Sequence, residues 1–108
     1  MSTVSLEDFK KIELKTGVIL SAEEIPGADR IWKLTVSTGG DNKILVAGIK
    51  NFYDKESLIG KNVVIVNNLA PTVIRGVESQ GMVLAAKCDN RLTLLTLDKE
   101  LPAGSLIY

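Results

Sequence analysis

Apolar and polar residues alternate along the first half of the chain with the period of two that is typical of half-buried β-strands. Residues 12–20 predict a first strand, and Pro26-Gly27 predicts the turn that follows it. Residues 32–37 predict a second strand, and the glycine-rich run 39–42 predicts a hairpin loop into a third strand over 44–49. The residues expected to face the core from the first two strands are Ile12, Leu14, Val18, Leu20, Trp32, Leu34 and Val36.

Helix signals in the sequence are short and local. Ser5 is followed three residues later by an acid, which is the spacing of a capping box and predicts a brief opening helix. Asp54 is placed to cap a second short helix over 55–59, and Gly60 stands where helices often end in a left-handed residue. Neither helix is long enough to be stable without tertiary contacts.

The second half of the chain predicts two further strands. Residues 61–68 form a run so apolar at its centre that both faces of the strand should be covered. Residues 81–87 predict a fifth strand, and Asp89-Asn90 then turns the chain into the leucine-rich segment 92–97. Five strands are therefore expected, with a helix between the third and the fourth.

This element order is that of an OB-fold, a small and partly open barrel. We therefore predict an all-β chain, namely a five-stranded OB-fold barrel with a short helix between strands 3 and 4 and a C-terminal extension. Small sandwiches and SH3-like barrels give similar patterns and stay open on strand count alone. The length of 108 residues and the apolar content of 45% suit one core, so residues 1–108 are predicted to form a single domain.

Composition excludes several classes of function. The chain has 13 basic and 13 acidic residues, no histidine and one cysteine, Cys88. Without histidine, the usual zinc sites and the Ser-His-Asp or Cys-His catalytic groups cannot be assembled, so we expect no catalytic residue, no metal and no cofactor. A lone cysteine forms no intrachain disulfide, which favours a cytoplasmic location. No signal peptide is recognisable, and no apolar run approaches the roughly 20 residues that span a bilayer, so no membrane partner is expected.

The segment 67–80 separates the fourth strand from the fifth and is rich in polar and flexible residues. Arg75, Ser79 and Gln80 offer a planar cation, a hydroxyl and an amide, which suit phosphate oxygens, 2′-hydroxyls and base edges. Met82 can lie against an unstacked base as a soft apolar surface. The alternative is an ordinary long loop whose glycines serve turns and whose Met82 faces the core.

The order Asn68-Leu69-x-Pro71, followed by Arg-Gly-Val-Glu-Ser-Gln-Gly-Met-Val-Leu-Ala-Ala at 75–86, resembles the signature of the tRNA-binding domain family. That family comprises the domain appended to many methionyl-tRNA synthetases, its stand-alone counterparts, and related domains in synthetase cofactors and cytokine-like proteins. The likeness covers nearly the whole chain from Phe9. Its other segments are 13–17, 26–31, 46–49 and 58–61.

The resemblance implies an OB barrel that binds tRNA by shape and assists an aminoacyl-tRNA synthetase, above all the methionyl enzyme, in cis or in trans. It also implies a homodimer, to which we assign the C-terminal segment 101–108. The positions that match the family's binding motif are Asn68, Arg75, Ser79, Gln80 and Met82. Lys33, Lys50 and Lys87 lie on or beside predicted strands and are added as candidates for phosphate contacts, the alternative for each being an ordinary solvated lysine. Ala70 stands where the family often has a lysine, so weak and general binding is expected.

Two other functions are weighed against tRNA binding. A relative of the same fold is an export-related peptide-binding chaperone, but the run 79–82 matches the tRNA-binding version of the loop better. An enzyme is disfavoured by the missing histidine and by Glu23 and Glu24, which are typical of a solvated turn. Trp32 could stack on a base, yet its phase with the apolar residues of its strand favours the core. The sequence leaves open whether the chain is a free-standing subunit or a synthetase domain.

Overall fold

Antiparallel strands and two helical turns make up residues 2–108, the part of the chain that the computed structural model describes. The elements are α1 (Leu6–Phe9), β1 (Leu14–Ile25), β2 (Ala28–Ser37), β3 (Asn42–Ala47), α2 (Lys55–Leu58), β4 (Asn62–Val66), β5 (Thr72–Ile74), β6 (Val77–Ser79), β7 (Met82–Val83), β8 (Ala85–Cys88) and β9 (Arg91–Leu94). Five strands form one sheet in the order β3-β2-β1-β4-β7, while β5-β6 and β8-β9 are separate hairpins. The all-β class and the helix between β3 and β4 are as predicted.

Both helices begin at the capping residues that the sequence indicates. The Ser5 side chain accepts the backbone N–H of Asp8 at the start of α1, and the Asp54 side chain accepts that of Ser57 at the start of α2. Gly60 follows α2 with φ of +85°, the left-handed conformation that glycine adopts without strain. The α2 segment positions Leu58, which is fully buried in the core.

The core is formed mainly by inward-facing residues of β1 to β4. The alternation predicted for β2 is confirmed, because Trp32, Leu34 and Val36 are buried. The expectation that β4 is covered on both faces is also confirmed, since all four residues of 63–66 are buried. The largest fully buried side chains are Ile19, Leu34, Leu45, Leu58, Ile65, Val36, Val63 and Thr16.

None of the four residues expected to face the core from the first strand is buried. Leu14 and Val18 are half-buried, Leu20 is 45% exposed, and Ile12, which is 47% exposed, precedes β1. Ile19 is instead fully buried. The pairing of β1 with β2 skips from Ile19 to Ser21, so Leu20 is the extra residue of a β-bulge. A bulge shifts the alternation by one residue, which turns Leu20 outward and lets Ile19 point into the core.

The chain after β4 departs further from the prediction. The predicted loop contains a hairpin, because Thr72–Ile74 pairs with Val77–Ser79. The predicted fifth strand over 81–87 is divided: Met82–Val83 pairs with β4, and Ala85–Cys88 turns away to pair with the leucine-rich segment at Arg91–Leu94. Strands of two to four residues carry too little periodicity to be distinguished from loops in a sequence.

The C-terminal extension lies along β1. The backbone N–H of Thr16 donates to Ser105 (2.9 Å), and that of Ile107 donates to Leu14 (3.0 Å). The hydroxyl of Thr16 adds a bond to the carbonyl of Pro102 (3.0 Å). These bonds occupy the edge of β1 that β2 leaves free, since β2 pairs only from Val18 onward.

The hydrogen-bonded ladders form an open sheet, and no ladder joins its edge strands β3 and β7 within residues 2–108. The two edges nevertheless approach each other, because the backbone N–H of Gln80 donates to the carbonyl of Ile44 in β3 (2.8 Å). In the same described range, no helix is long and apolar enough to cross a bilayer.

Candidate nucleic-acid interface

The hairpin β5-β6 turns through Arg75 and Gly76, and both residues have positive φ, at 53° and 80°. Positive φ at both central residues defines a type I′ turn, whose twist matches that of the flanking strands. Gly76 adopts this conformation without cost, whereas Arg75 carries the strain of a left-handed non-glycine residue. Arg75 is exposed at the tip of the hairpin, so its guanidinium is available to an anion.

Asn68 lies where the chain leaves β4 for the hairpin, and its carboxamide is occupied within the protein. Its Oδ1 accepts the backbone N–H of Glu13 (2.8 Å), and its Nδ2 donates to the carbonyl of Lys11 (2.7 Å). The side chain thus pairs with a backbone segment much as a neighbouring strand would.

Ser79 and Gln80 lie at the other end of the hairpin and face β3. Ser79 is only 5% exposed, and its Oγ accepts the backbone N–H of Val46 (3.0 Å) and donates to the carbonyl of Gly81 (3.1 Å). Gln80 is half-buried, and its Oε1 accepts the backbone N–H of Ile44 (2.8 Å). Both side chains therefore satisfy backbone groups along the edge of β3.

Met82 opens β7 opposite Val66 and is 46% exposed. The alternative that this methionine faces the core is therefore not what the structure shows. Met82 follows the hairpin closely in the sequence. Its thioether lies at the surface, where it can contact an aromatic base or another apolar group.

The three lysine candidates lie outside the hairpin and differ in their surroundings. Lys50 follows the far end of β3, forms an ion pair with Glu24 (2.9 Å) and lies 5.0 Å from the ring centroid of Trp32. Lys33 is half-buried on β2 between Glu23 and Val46 of the neighbouring strands. Lys87 is exposed on β8. Trp32 itself is buried and donates its Nε1–H to the carbonyl of Tyr53 (2.9 Å), as a core residue would.

A polar cluster that the sequence analysis did not single out supports the start of the hairpin. The carboxylate of Glu13 accepts Asn67 Nδ2 (2.7 Å) and forms an ion pair with Lys15 (3.3 Å), while Lys43 donates to the carbonyl of Asn67. The bond from Asn67, followed by Lys15, lowers the pKa of Glu13 below its ordinary value. Asn67, which stands directly after an apolar strand and beside Asn68, was the available sequence signal.

Acid should weaken this cluster. Because the pKa of Glu13 is lowered in the folded state, its contribution to stability is present above the ordinary value of 4.5 and is lost as pH falls through the folded pKa. Glu13→Gln keeps an acceptor for Asn67 but does not titrate. Urea unfolding of both proteins should therefore show a stability difference at pH 7 that shrinks below pH 4.5; a difference that is constant across this range would contradict the assignment.

Among residues 2–108, no group of three or more cysteine, aspartate or glutamate side chains is arranged to hold a metal ion. The structure thus presents a small all-β binding domain with a solvent-exposed hairpin, which hydrogen bonds attach to β3 and to the segment before β1. Its chemistry is that of a surface that recognises a partner through a guanidinium, a thioether and backbone groups.

The comparison with known families gives this domain a more specific identity. A sequence model of the tRNA binding domain family matches residues 14–106, and the chain belongs to that family. The methionine–tRNA ligase of Methanococcus aeolicus is 50% identical over 107 residues, which is 99% of this chain, and that of Methanococcus maripaludis is 43% identical over 108 residues. The chain spans 16% of the length of each ligase.

Solved structures give the same picture. A protein from Pyrococcus horikoshii described as related to methionyl-tRNA synthetase superposes with a TM-score of 0.93 at 32% identity, covering 100% of both chains. The chaperone CsaA of Bacillus anthracis superposes with a TM-score of 0.90 at 31% identity, covering 99% of this chain and 100% of its own.

Proposed function

We propose that this domain binds tRNA in a general, shape-based manner in the cytoplasm and assists an aminoacyl-tRNA synthetase in cis or in trans. The first candidate for this synthetase is the methionyl enzyme. The observation that carries the proposal is the exposed Arg75 at the tip of a hairpin inside the segment that matches the tRNA binding domain family. One guanidinium can grip a phosphate or stack on a base, and at most it distinguishes a single base. Recognition of tRNA through this site is therefore proposed to depend on the folded shape of the RNA.

The architecture that we propose for this role is the OB-fold barrel. It is supported by the strand order of the sheet, by the helix between β3 and β4, and by the approach of the segment 79–81 to β3. In this arrangement, Ser79 and Gln80 close the barrel with side-chain hydrogen bonds where no ladder is present. OB-folds bind oligonucleotides beside the loop that joins the fourth and fifth strands of the barrel. In this chain that loop is the segment between β4 and β7, which contains the β5-β6 hairpin.

Among the eight candidate residues, Arg75, Met82, Lys87 and Asn68 are exposed. We assign direct RNA contact to the first three, because the Asn68 carboxamide already bonds to the protein backbone. Lys33 is a weaker candidate because it is half-buried opposite Glu23. Lys50 can reach a phosphate only after it leaves Glu24, so RNA binding there has to replace an existing ion pair.

We also propose a homodimer, which an exposed apolar groove of the molecule supports. A groove of about 450 Å³ lies between the α1 segment and the C-terminal extension. Its lining is mainly apolar, and a second copy of the chain would cover it. The apolar residues of this groove are Leu6, Phe9, Ile12, Leu14, Leu106, Ile107 and Tyr108. Two copies would present two hairpins to one RNA, which raises the apparent affinity of a weak site.

Arg75→Ala is expected to weaken binding of unfractionated tRNA about tenfold, because a charge-assisted bond to a phosphate is lost. The slope of the logarithm of the binding constant against the logarithm of salt concentration should flatten by roughly 0.7 to 0.9, the value for one released counterion. Filter binding between low and physiological salt measures both quantities. Arg75→Lys is the matched control and should keep the slope. A variant that selectively lost one tRNA species would contradict shape-based recognition.

A second candidate function is that of an export-related peptide-binding chaperone, which the likeness to CsaA of Bacillus anthracis favours. A gel shift with total tRNA at low salt, beside a titration with an unfolded presecretory peptide, separates the two functions. Retardation of tRNA supports the first proposal. Binding of the peptide without any shift of tRNA would replace it with the second.

A further inference from the structure

The β5-β6 hairpin has little of its own to hold it in place. Each strand has three residues, and Val73 is 67% exposed while Glu78 opposite it is also exposed. A two-stranded hairpin is marginally stable in water unless it packs against other elements. The position of Arg75 at its tip must therefore be fixed where the hairpin joins the rest of the domain.

The first attachment is made by Asn68. Its carboxamide uses its acceptor for the N–H of Glu13 and one donor for the carbonyl of Lys11, at 2.8 and 2.7 Å. The backbone N–H of Asn67 also donates to the carbonyl of Glu13 (2.7 Å). Three bonds thus tie the chain that enters the hairpin to the segment before β1.

The second attachment is made by Ser79 and Gln80. Between them they accept the N–H groups of Val46 and Ile44, two edge donors of β3 that no strand pairs. The Ser79 hydroxyl also donates its single proton to the carbonyl of Gly81. With 5% of the residue exposed, the Ser79 side chain has neither a free donor nor an open surface to offer a phosphate.

We propose that Asn68, Ser79 and Gln80 are positioning residues, which hold the hairpin rigid in the free protein so that Arg75 is presented to RNA. This inference rests on the proposed function and assigns these motif residues to the protein's own backbone instead of to RNA. A hairpin ordered before binding avoids the loss of conformational entropy that a mobile loop would incur at the moment of contact.

Hydrogen exchange of the free protein tests the attachment without RNA. Gln80→Ala should accelerate exchange of the amides at 72–79 about tenfold, because the backbone N–H of Ile44 loses its acceptor and the hairpin loses a bond to β3. Core amides such as those of Leu34 and Leu45 should exchange as in the unaltered protein. Gln80→Glu keeps the acceptor for Ile44 and should restore protection, and Glu78→Gln on the same hairpin should have no effect. If Gln80→Ala does not fold, Ser79→Ala replaces it as the variant that loses an acceptor for β3, and Gln80→Glu remains the control that keeps one.

A double-mutant cycle then connects the attachment to binding. If Gln80 acts only through the placement of Arg75, Gln80→Ala should cost about fivefold in tRNA affinity alone and almost nothing in an Arg75→Ala background. If the losses of tRNA affinity multiply in the double variant, Gln80 makes an RNA contact of its own and the proposal is overturned. Unchanged hydrogen exchange in Gln80→Ala would also overturn it. Absence of tRNA binding by the unaltered protein would refute the proposed function, whereas accelerated exchange would still support the attachment.

Discussion

Leu106→Glu is expected to separate the proposed homodimer into monomers and to weaken tRNA binding about a hundredfold, the lower range of avidity effects. Leu106 is 56% exposed and lines the apolar groove beside α1. Its neighbours Ser105 and Ile107 form the backbone bonds to β1, so the substitution leaves that attachment intact. A carboxylate in the groove would have to lose its hydration when a second copy covers it, which opposes assembly.

Light scattering gives the oligomeric state, and filter binding gives the tRNA affinity of the same samples. Leu20→Glu is the matched control, because Leu20 is 45% exposed on β1, does not line the groove and lies outside the C-terminal segment assigned to the dimer. The control should remain a dimer. A Leu106→Glu variant that stays dimeric would place the interface elsewhere, and a monomeric variant with full affinity would remove the role of the dimer in binding.

Gly81→Ala is expected to destabilise the domain by about 3 kcal/mol, near the upper end of overpacking effects. A Cβ at this position would lie 2.7 Å from the carbonyl oxygen of Val66 and 3.1 Å from Leu45 Cδ2. The first neighbour is the backbone of β4, which cannot yield without moving the β4-β7 pairing at Val66 and Met82. The hairpin would lose its attachment to β3 at the same time, because Gln80 directly precedes the displaced residue.

Urea unfolding measures the stability loss. Gly48→Ala is the control, since a Cβ there meets nothing within 4 Å. Its stability should be unchanged within about 0.5 kcal/mol, as for a surface substitution away from special features. If the two variants were equally stable, the close approach of β7 to β4 at Gly81 would be disproved.

Much of the fold could be predicted because its signals are local. The alternation in β2, the four buried residues of β4 and the caps at Ser5 and Asp54 each depend on neighbours within a few positions. The bulge at Leu20 could not be predicted, because it is set by pairing with a partner strand and not by the sequence of β1 alone.

The candidate site also depends on contacts between residues far apart in the chain, which the sequence does not show. Arg75 and Met82 are exposed, as an RNA contact requires. Ser79, Gln80 and Asn68 have the same residue types as RNA-contacting groups, but their partners lie 33, 36 and 55 residues away in the chain. Sequence identifies a polar side chain, whereas only the folded structure shows whether its hydrogen bonds are already occupied.

Amide NMR mapping of the domain, titrated with unfractionated tRNA at low salt, tests whether the β5-β6 hairpin binds RNA. The largest shifts are expected at the tip of the hairpin, over residues 73–78, and at Met82, with smaller shifts near Lys87. Unmoved hairpin amides, together with shifts confined to the apolar groove or to the surface around Glu24 and Lys50, would contradict RNA binding by the hairpin.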